Sequence, residues 1–546
     1  MTPAGLPKPA TRIDYIDRLL VLAIISLAIL FTLESFPRPP LEDAAILPRY
    51  AWNLAAGYGI VWNPGGRPVD GSTDFLFLLM VSGLVKAGLP PHVAARTLAL
   101  VAHCLTIMLI YLAVRKQGSS TRWAALISAS YLGIGPALTT IWDGFGTPVF
   151  GLFVCLTWWL AMKLREGANA HRNCALFAFC GLITALERPE GLFLAALMLM
   201  SLLYMEGFRR ARLSILYFLG IVGIGGSLYF LWHWHYFGYP LPNPFYLKGG
   251  GHLFWGSLIE SLENIVKLGG PFALVYVVAL CSPRTAQQAA FSLIPIGGFG
   301  LLWLLLSGAM NHAMRYQYAI LPIALLSWHP LWEGIRGQFG LPSWADLEKR
   351  HAAPSLPLLM ALWCGLVFYR GIFWSLAGQH GWDLTYDAGV VLAQFKDKHY
   401  TLATTEAGLL PFYSEWRAID AWGLNDSWVA HHGAISESYL EHENPELIAF
   451  HASFSPIVPS WQNPSWPFPR AWFATVMTLK SYAERKGYRL AGSFGLDPHD
   501  TYYFYVRQDF PDSPAITERL RGLVEAWNQR ELRVVNFADF AHPGTP

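Results

Sequence analysis

Long apolar runs, separated by short polar segments, dominate the first two thirds of the chain. A helix needs about 20 apolar residues to cross the hydrocarbon core of a bilayer. The runs that approach this length predict eleven membrane-spanning helices, at residues 19–36, 94–114, 123–141, 147–163, 174–186, 190–205, 213–234, 270–281, 289–308, 315–332 and 355–376. The pattern therefore predicts a polytopic α-helical membrane protein.

Residues 75–89 form one more apolar run, and the charges of the loops decide its role. If this run does not cross the membrane, the basic loops at 115–122, 163–172 and 206–212 share the side of the N-terminus. An excess of Lys and Arg is typical of cytoplasmic loops. We therefore predict that 75–89 is a re-entrant or interfacial segment and that the N-terminus is cytoplasmic.

The pattern changes after residue 376, where long apolar runs stop. Short strand-like stretches at 401–405, 417–421, 446–450 and 502–506 alternate with helical stretches at 471–486 and 514–529. This alternation favours a small α/β domain. The sequence thus predicts a membrane domain, residues 1–377, and an α/β domain, residues 378–546, which eleven crossings place outside the cytoplasm.

Composition supports a membrane protein and excludes other classes. The chain is 53% hydrophobic and 14% charged, where soluble proteins have roughly 25% charged residues. The net charge of +2 gives no support for nucleic-acid binding. The six cysteines and the histidines show no metal-ligand spacing, so we predict no metal and no cofactor; a divalent cation is an alternative that no motif supports.

Two adjacent carboxylates, Glu42 and Asp43, follow the first predicted helix. At the membrane surface, such a carboxylate can take the proton from a sugar hydroxyl as that oxygen attacks an anomeric carbon. The alternative is that the pair caps a helix beginning near Ala44. Glu42 and Asp43 are our candidates for a catalytic base.

The other loops on the predicted outer face contain three cations, Arg188, Lys248 and Arg315. Guanidinium and ammonium groups form short, strong bonds with phosphate, although a cation at a membrane surface can also simply extend toward water. These three are the candidates for binding a donor phosphate. Further candidates for substrate binding in these loops are Arg49, Tyr50, Asp143, Glu190, Asn243, Tyr246 and His312.

The order of several motifs resembles bacterial membrane glycosyltransferases of fold class C (GT-C). These motifs are RYAWNLAAGYGIVWNPGG after the acidic pair, then RPEG, FGYPLPNPFYLK, RYQYAILP, TTEAGLLPFYS and IDAWGLND. Together they extend over residues 41–430 and resemble mycobacterial terminal β-(1→2)-arabinofuranosyltransferases. The chain departs from that pattern at Glu42, where an aspartate is usual, and at GFGT (144–147), which lacks a glutamate. Whether Asp143 replaces that glutamate stays open.

The resemblance implies an inverting glycosyltransferase of the bacterial plasma membrane. Its donor would be a polyprenyl-phosphate sugar, with a pentofuranose favoured and a hexose as the alternative, and its acceptor a cell-envelope glycan. The resemblance implies that Glu42 or Asp43 is the base, that Arg188, Lys248 and Arg315 contact the donor phosphate, and that Asn243 and Tyr246 line the donor cavity.

Two other classes of function are weighed against the enzyme. A transporter or flippase of lipid-linked sugars predicts ionisable residues in mid-membrane, and the predicted spans are nearly free of them. A non-catalytic glycan-binding protein would rely on the C-terminal domain, whose sequence contains neither a hydrolase triad nor a Gly-rich phosphate loop.

Overall fold

The computed structural model describes residues 15–133, 137–167, 170–248, 253–270, 272–308, 310–341, 384–452, 470–497 and 500–529, with the single residues 251 and 365. The described helices of the first part are α1 Tyr15–Leu33, α2 Ile46–Ala55, α3 Phe75–Lys86, α4 Pro91–Lys116, α5 Thr121–Gly133, α6 Ala137–Asp143, α7 Thr147–Arg165, α8 Ala170–Glu187, α9 Glu190–Phe218, α10 Ile224–Phe237, α11 Asn243–Lys248, α12 Trp255–Gly269, α13 Phe272–Ala279, α14 Pro283–Leu302 and α15 Leu321–Phe339. The predicted span 355–376 and the predicted domain boundary at 377 lie outside the described residues, apart from residue 365.

Several of these helices are long and apolar enough to cross a membrane, which makes the chain an integral membrane protein. Within the described residues, four continuous helical stretches qualify: Tyr15–Leu33, Pro91–Lys116, Thr147–Arg165 and Glu190–Phe237. Two bent pairs raise the number to six if each is one span: α5 with α6, bent by 42°, and α12 with α13, bent by 105°. The predicted spans 174–186 and 289–308 correspond to α8 and α14.

The longest helical stretch, Glu190–Phe237, turns back on itself at Gly207. This glycine has φ 73° and ψ 163° inside α9, a conformation that other residues rarely adopt. A methyl group built on Gly181 of α8 would lie 3.4 Å from Ala195 and 3.5 Å from Phe218. Because these two residues flank Gly207 in sequence, both halves of the stretch lie beside α8, as two separate predicted spans require.

The first and fourth helices run antiparallel and define the two ends of the bundle. Asp17, near the start of α1, pairs with Arg115, near the end of α4, at 2.6 Å. At the other end, Arg96 near the start of α4 donates to the backbone carbonyls of Arg38 and Pro39, which follow α1. Residues 34–90 therefore begin and end at the same end of the bundle.

Helix α3 lies within that 34–90 segment and covers most of the ambiguous apolar run. It has 12 residues, a length of about 18 Å at 1.5 Å per residue. This is too short to cross a hydrocarbon core of about 30 Å. The placement is the one expected for an interfacial segment.

The C-terminal part contains a five-stranded mixed sheet. Its elements are α16 Leu384–Ala393, β1 Thr401–Thr404, α17 Leu409–Ser414, β2 Arg417–Asp420, α18 Ser427–His432, α19 Glu437–Glu443, β3 Leu447–Ala452, α20 Arg470–Arg485, β4 Arg489–Asp497, β5 Asp500–Val506 and α21 Ser513–Asn528. The strand order is β2-β1-β3-β5-β4. Strands β1, β2 and β3 are parallel, while β5 pairs antiparallel with β3 and β4.

The sheet domain packs on the 34–90 segment of the membrane domain. Residues of α2, including Leu47 and Ala51, share one hydrophobic core with Leu402 of β1, Leu410 of α17 and Trp416. The parallel strands β1 and β2 lead directly into α17 and the 421–426 turn, which contact this segment. Their carboxyl ends, where α/β sheets commonly bind ligands, therefore face the membrane domain near Glu42 and Asp43.

Candidate active site

An ion pair between Asp43 and Arg315 forms the centre of the candidate site. Asp43 opens a short 3-10 helix before α2, and Arg315 follows a second 3-10 turn before α15. Arg315 Nη2 donates to Asp43 Oδ2 at 3.0 Å, and the guanidinium lies 3.9 Å from the centre of the Phe145 ring. Its Nη1 is buried and has no hydrogen-bond acceptor among the described residues. Hydrogen bonds within the described residues thus match the guanidinium charge only in part.

The neighbouring acid, Glu42, has a different environment. Its carboxylate accepts hydrogen bonds from the backbone N–H groups of Gly408 and Leu409, the latter at 2.8 Å, and from Thr385 Oγ1 at 3.2 Å. Gly408 and Leu409 form the N-terminus of α17. Glu42 makes no side-chain cap on the helical turn that follows it. The acid therefore caps a helix of the other domain instead of the helix predicted to begin near Ala44.

A second charged group, centred on Arg188, lies beside this pair. Arg188 Nε is 2.7 Å from Glu190 Oε1, and its Nη1 is 3.2 Å from Asp74 Oδ1. Burial raises the pKa of Asp74, and the nearby charges of Arg188 and Arg315 oppose that increase. The charges of Arg188 and Arg315 also act on each other. The two predicted phosphate-binding arginines are therefore brought together.

A third group consists of His312 and Asp143. His312 Nε2 is 3.3 Å from Asp143 Oδ2, and the imidazole side chain is 51% exposed. This contact with the Asp143 carboxylate raises the pKa of His312 above 6.5, the ordinary value, while burial and Arg315 act in the opposite direction. The backbone carbonyl of Asp143 also accepts a hydrogen bond from the N–H of Leu41, at 3.0 Å. This contact holds the 142–146 turn beside Asp43.

The loop that follows α10 lies against the C-terminal domain. Asn243 is 3% exposed; its backbone N–H donates to the carbonyl of Asp70 at 3.0 Å, and its side chain to Ser427 at 3.4 Å. The Tyr246 ring is 4.4 Å from His431. These contacts join the loop to α18. Lys248 ends α11, and its side chain lies outside the described residues.

Arg49 and Tyr50 do not line an open site, which corrects their predicted role. Arg49 is 5% exposed and donates to the carbonyls of Trp62, Pro411 and Trp416 and to Asn63. Tyr50 is fully buried, with its hydroxyl 3.0 Å from Asn425 Oδ1. Both side chains are buried and form hydrogen bonds that join the membrane domain to the C-terminal domain.

Sequence reasoning did not identify two acids of this region, Asp74 and Asp70. Asp70 Oδ2 is 2.7 Å from His233 Nε2, and Asp74 pairs with Arg188. Both acids lie in the polar loop between α2 and α3, so their position in that loop was the only signal available. In the part of the chain that the structure describes, no group of three or more His, Cys, Asp or Glu side chains is placed to hold a metal ion.

Comparison with solved structures identifies the fold. The chain is similar to ArnT from Cupriavidus metallidurans bound to undecaprenyl phosphate, with 12% identity and a TM-score of 0.57 over 89% of this chain and 97% of that chain. For ArnT in the apo state the TM-score is 0.56, at 12% identity, over 89% and 98%. The Archaeoglobus fulgidus oligosaccharyltransferase in complex with Zn and sulfate gives 0.46 at 12% identity over 90% and 74%.

At this identity the likeness to ArnT shows the fold alone. It confirms the predicted fold class, a GT-C-like helical membrane domain followed by a C-terminal α/β domain. A family model described as a domain of unknown function, DUF8728, matches residues 377–506. No curated protein matches the chain.

Proposed function

We propose that the chain is an inverting glycosyltransferase that takes a sugar from a polyprenyl-phosphate donor, with Asp43 as the catalytic base. The observation that carries the proposal is the Asp43–Arg315 pair, in which a partly exposed carboxylate lies 3.0 Å from a buried guanidinium. Such a pair has the two groups that transfer from a sugar phosphate needs: an acceptor for a proton and a cation for the leaving phosphate.

In the proposed reaction, an acceptor hydroxyl oxygen attacks the anomeric carbon of the donor from the face opposite the phosphate. The bond from that carbon to the phosphate oxygen breaks, and Asp43 takes the hydroxyl proton. Polyprenyl phosphate leaves with the electron pair of the broken bond. Proton removal by a positioned base contributes typically 10²- to 10⁴-fold to such a rate.

Asp43 is favoured over Glu42 as the base because Glu42 is already occupied. Both oxygens of Glu42 accept backbone N–H groups of the C-terminal domain. Both of its oxygens are therefore directed at the N-terminus of α17 in the C-terminal domain. Asp43 has a 29% exposed side chain, which leaves it accessible to an acceptor.

Arg315 and Arg188 are the proposed contacts for the donor phosphate. Arg315 retains a buried Nη1 without an acceptor among the described residues, and guanidinium groups suit phosphate oxygens. The fold supports the donor class, since ArnT, which is similar in fold, was solved with undecaprenyl phosphate bound. Lys248 stays a proposed third contact, and Glu190 holds Arg188 in place.

The finer assignments rest on the sequence. The resemblance to arabinofuranosyltransferases favours a pentofuranose over a hexose, and a cell-envelope glycan as the acceptor. The basic loops favour a cytoplasmic N-terminus, and with that orientation the Asp43 end of the bundle and the C-terminal domain would lie at the outer face of the plasma membrane. Asn243 and Tyr246 would then border the donor cavity from the side of the C-terminal domain.

The test measures sugar transfer by the full-length enzyme in detergent, with a panel of pentofuranosyl and hexosyl polyprenyl-phosphate donors. Wild type should transfer pentofuranose. Asp43→Asn should lose about 10²- to 10⁴-fold in kcat with the same donor. The matched control is Asp397→Asn, which changes an exposed acid of the C-terminal domain and should leave kcat unchanged.

Three outcomes would contradict different parts of the proposal. Full activity of Asp43→Asn would remove Asp43 as the base. Activity with hexosyl donors only would leave the mechanism in place and replace the proposed sugar. A failure of every donor in the panel, with a folded enzyme, would overturn the transferase assignment.

A further inference from the structure

The segment that carries Arg315 has a strained backbone. Met310, Ala313 and Met314 have φ angles of 66°, 53° and 60°, all in the left-handed region that residues with a side chain rarely adopt. Three such residues precede Arg315 within six positions. Conformations of this kind persist only where the surroundings impose them, and they cluster at functional sites. Neighbouring groups must therefore hold residues 310–315 in this conformation.

The side chain of Gln317 provides that support from within the protein. It is 1% exposed; its Oε1 accepts from Asn311 Nδ2 at 2.9 Å and from Asn264 Nδ2 at 3.4 Å, and its Nε2 donates to Ser261 Oγ at 3.2 Å. Asn311 in turn accepts the backbone N–H of Tyr316 at 3.1 Å. The amide thus ties residues on both sides of Arg315 to helix α12.

Helix α12 presents its polar side to the protein interior. Ser261 and Asn264 are 1% and 5% exposed. Its outward residues are large and apolar, with exposures of 61% for Trp255, 58% for Ile259, 42% for Leu262 and 66% for Val266. Buried polar groups are costly unless they are hydrogen-bonded, and here the segment that carries Arg315 supplies partners. The polar face of α12 is therefore matched to that segment.

We propose that Gln317 is a positioning residue for the donor phosphate, acting through Arg315 with Asn264 and Asn311. It fixes the strained turn so that the Arg315 guanidinium meets the phosphate without first reorganising. The proposal rests on the proposed phosphate contact of Arg315. Preorganised donors lower the cost of binding an anion and of stabilising its developing charge.

A double-mutant cycle tests this role, because a residue that acts through Arg315 has no effect once Arg315 no longer binds. The variants of the full-length enzyme are Gln317→Leu, Arg315→Gln and the double mutant. The readouts are the donor KM and the binding of undecaprenyl phosphate without acceptor. Gln317→Leu should raise the donor KM about 10-fold, equivalent to about 1.4 kcal/mol, and add less than about 2-fold in the Arg315→Gln background.

Conservative and control variants keep the test interpretable if Gln317→Leu folds poorly. Gln317→Glu retains the acceptor toward Asn311 and Asn264, so it should recover part of the affinity for undecaprenyl phosphate. Ser292→Ala removes another buried hydroxyl, which donates to Tyr276 at 3.1 Å, and should leave the donor KM unchanged. A Gln317→Leu effect equal in both backgrounds would overturn the positioning role. An unchanged donor KM in Arg315→Gln would instead contradict the phosphate contact on which the proposal rests.

Discussion

Glu42 caps a helix that begins 367 residues later in the chain, through hydrogen bonds to the backbone N–H groups of Gly408 and Leu409. The contact joins the first loop of the membrane domain to α17 of the C-terminal domain. A carboxylate at a helix N-terminus is stabilised both by the hydrogen bonds and by the helix dipole. Adjacent acids in one sequence motif therefore have separate roles, one holding the two domains together and one facing the candidate site.

Removing the Glu42 carboxylate should loosen the contact between domains. Glu42→Ala leaves the N–H groups of α17 without acceptors, and each bond to a charged group contributes about 1.5–3 kcal/mol. We expect Glu42→Ala to have a lower midpoint of thermal unfolding and faster proteolytic release of the C-terminal domain than wild type. Glu42→Gln keeps one oxygen acceptor, so its midpoint should lie between those of wild type and Glu42→Ala. Unchanged unfolding of Glu42→Ala, measured by differential scanning fluorimetry, would contradict the capping role.

The glycine at the same junction should tolerate no side chain. A methyl group on Gly408 would overlap the backbone carbonyl of Glu42, so Gly408→Ala must separate the domains locally. Overpacking typically costs 1–3 kcal/mol, and we expect a loss of at least about that size in thermal stability. The control is Gly337→Ala in α15, where nothing lies within 4 Å and alanine favours the helix by about 1 kcal/mol. Equal stability of the two variants would contradict this account.

Much of the fold could be predicted because the spacing of hydrophobic residues and the length of the apolar runs indicate helices and strands. The strands predicted at 401–405 and 417–421 correspond to β1 and β2, and the helices at 471–486 and 514–529 to α20 and α21. Strand β4 was not predicted because its sequence, RLAGSFGLD, has two glycines and little alternation. Helix α12 was missed because its charges at 260, 263 and 267 resemble a polar loop.

The site was harder to predict because its contacts are distant in sequence. Asp43 and Arg315 are 272 positions apart. The sequence indicated only that both lie in loops on the same face of the membrane. Arg49 was misassigned because its partners, Pro411 and Trp416, belong to the domain that covers it. The start of the predicted span 315–332 was also wrong, since α15 begins at Leu321 and leaves Arg315 in the preceding turn.

Replacing Arg188 should destabilise the protein as well as weaken donor binding. Arg188→Ala leaves Asp74 and Glu190 without their cation in a region where all three side chains are at most 16% exposed. Breaking a buried pair in this way costs about 3–5 kcal/mol. Arg188→Lys keeps the charge but lacks the planar guanidinium that bonds to both acids. It should therefore lose stability, but less than Arg188→Ala. Thermal unfolding and the donor KM measure the two effects.

A second arginine provides the comparison for Arg188. Arg165 is the last residue of α7. It lies 3.9 Å from Glu206, with exposures of 34% and 25% for the two side chains. Exposed pairs contribute about 0–1 kcal/mol, so Arg165→Ala should have little effect on stability and none on the donor KM. If Arg165→Ala and Arg188→Ala lost the same stability, the buried cluster would not have the importance assigned to it.

Donor binding should depend on pH through His312. The contact with the Asp143 carboxylate raises the pKa of His312 above 6.5, so the imidazolium, a cation near Arg315, is present below the raised pKa and is lost as pH rises through it. We therefore expect the donor KM to increase as the pH rises above about 6.5. In His312→Gln this dependence should disappear, and in Asp143→Asn it should shift to lower pH because the supporting charge is removed. A pH dependence that His312→Gln leaves intact would assign the titration to another group.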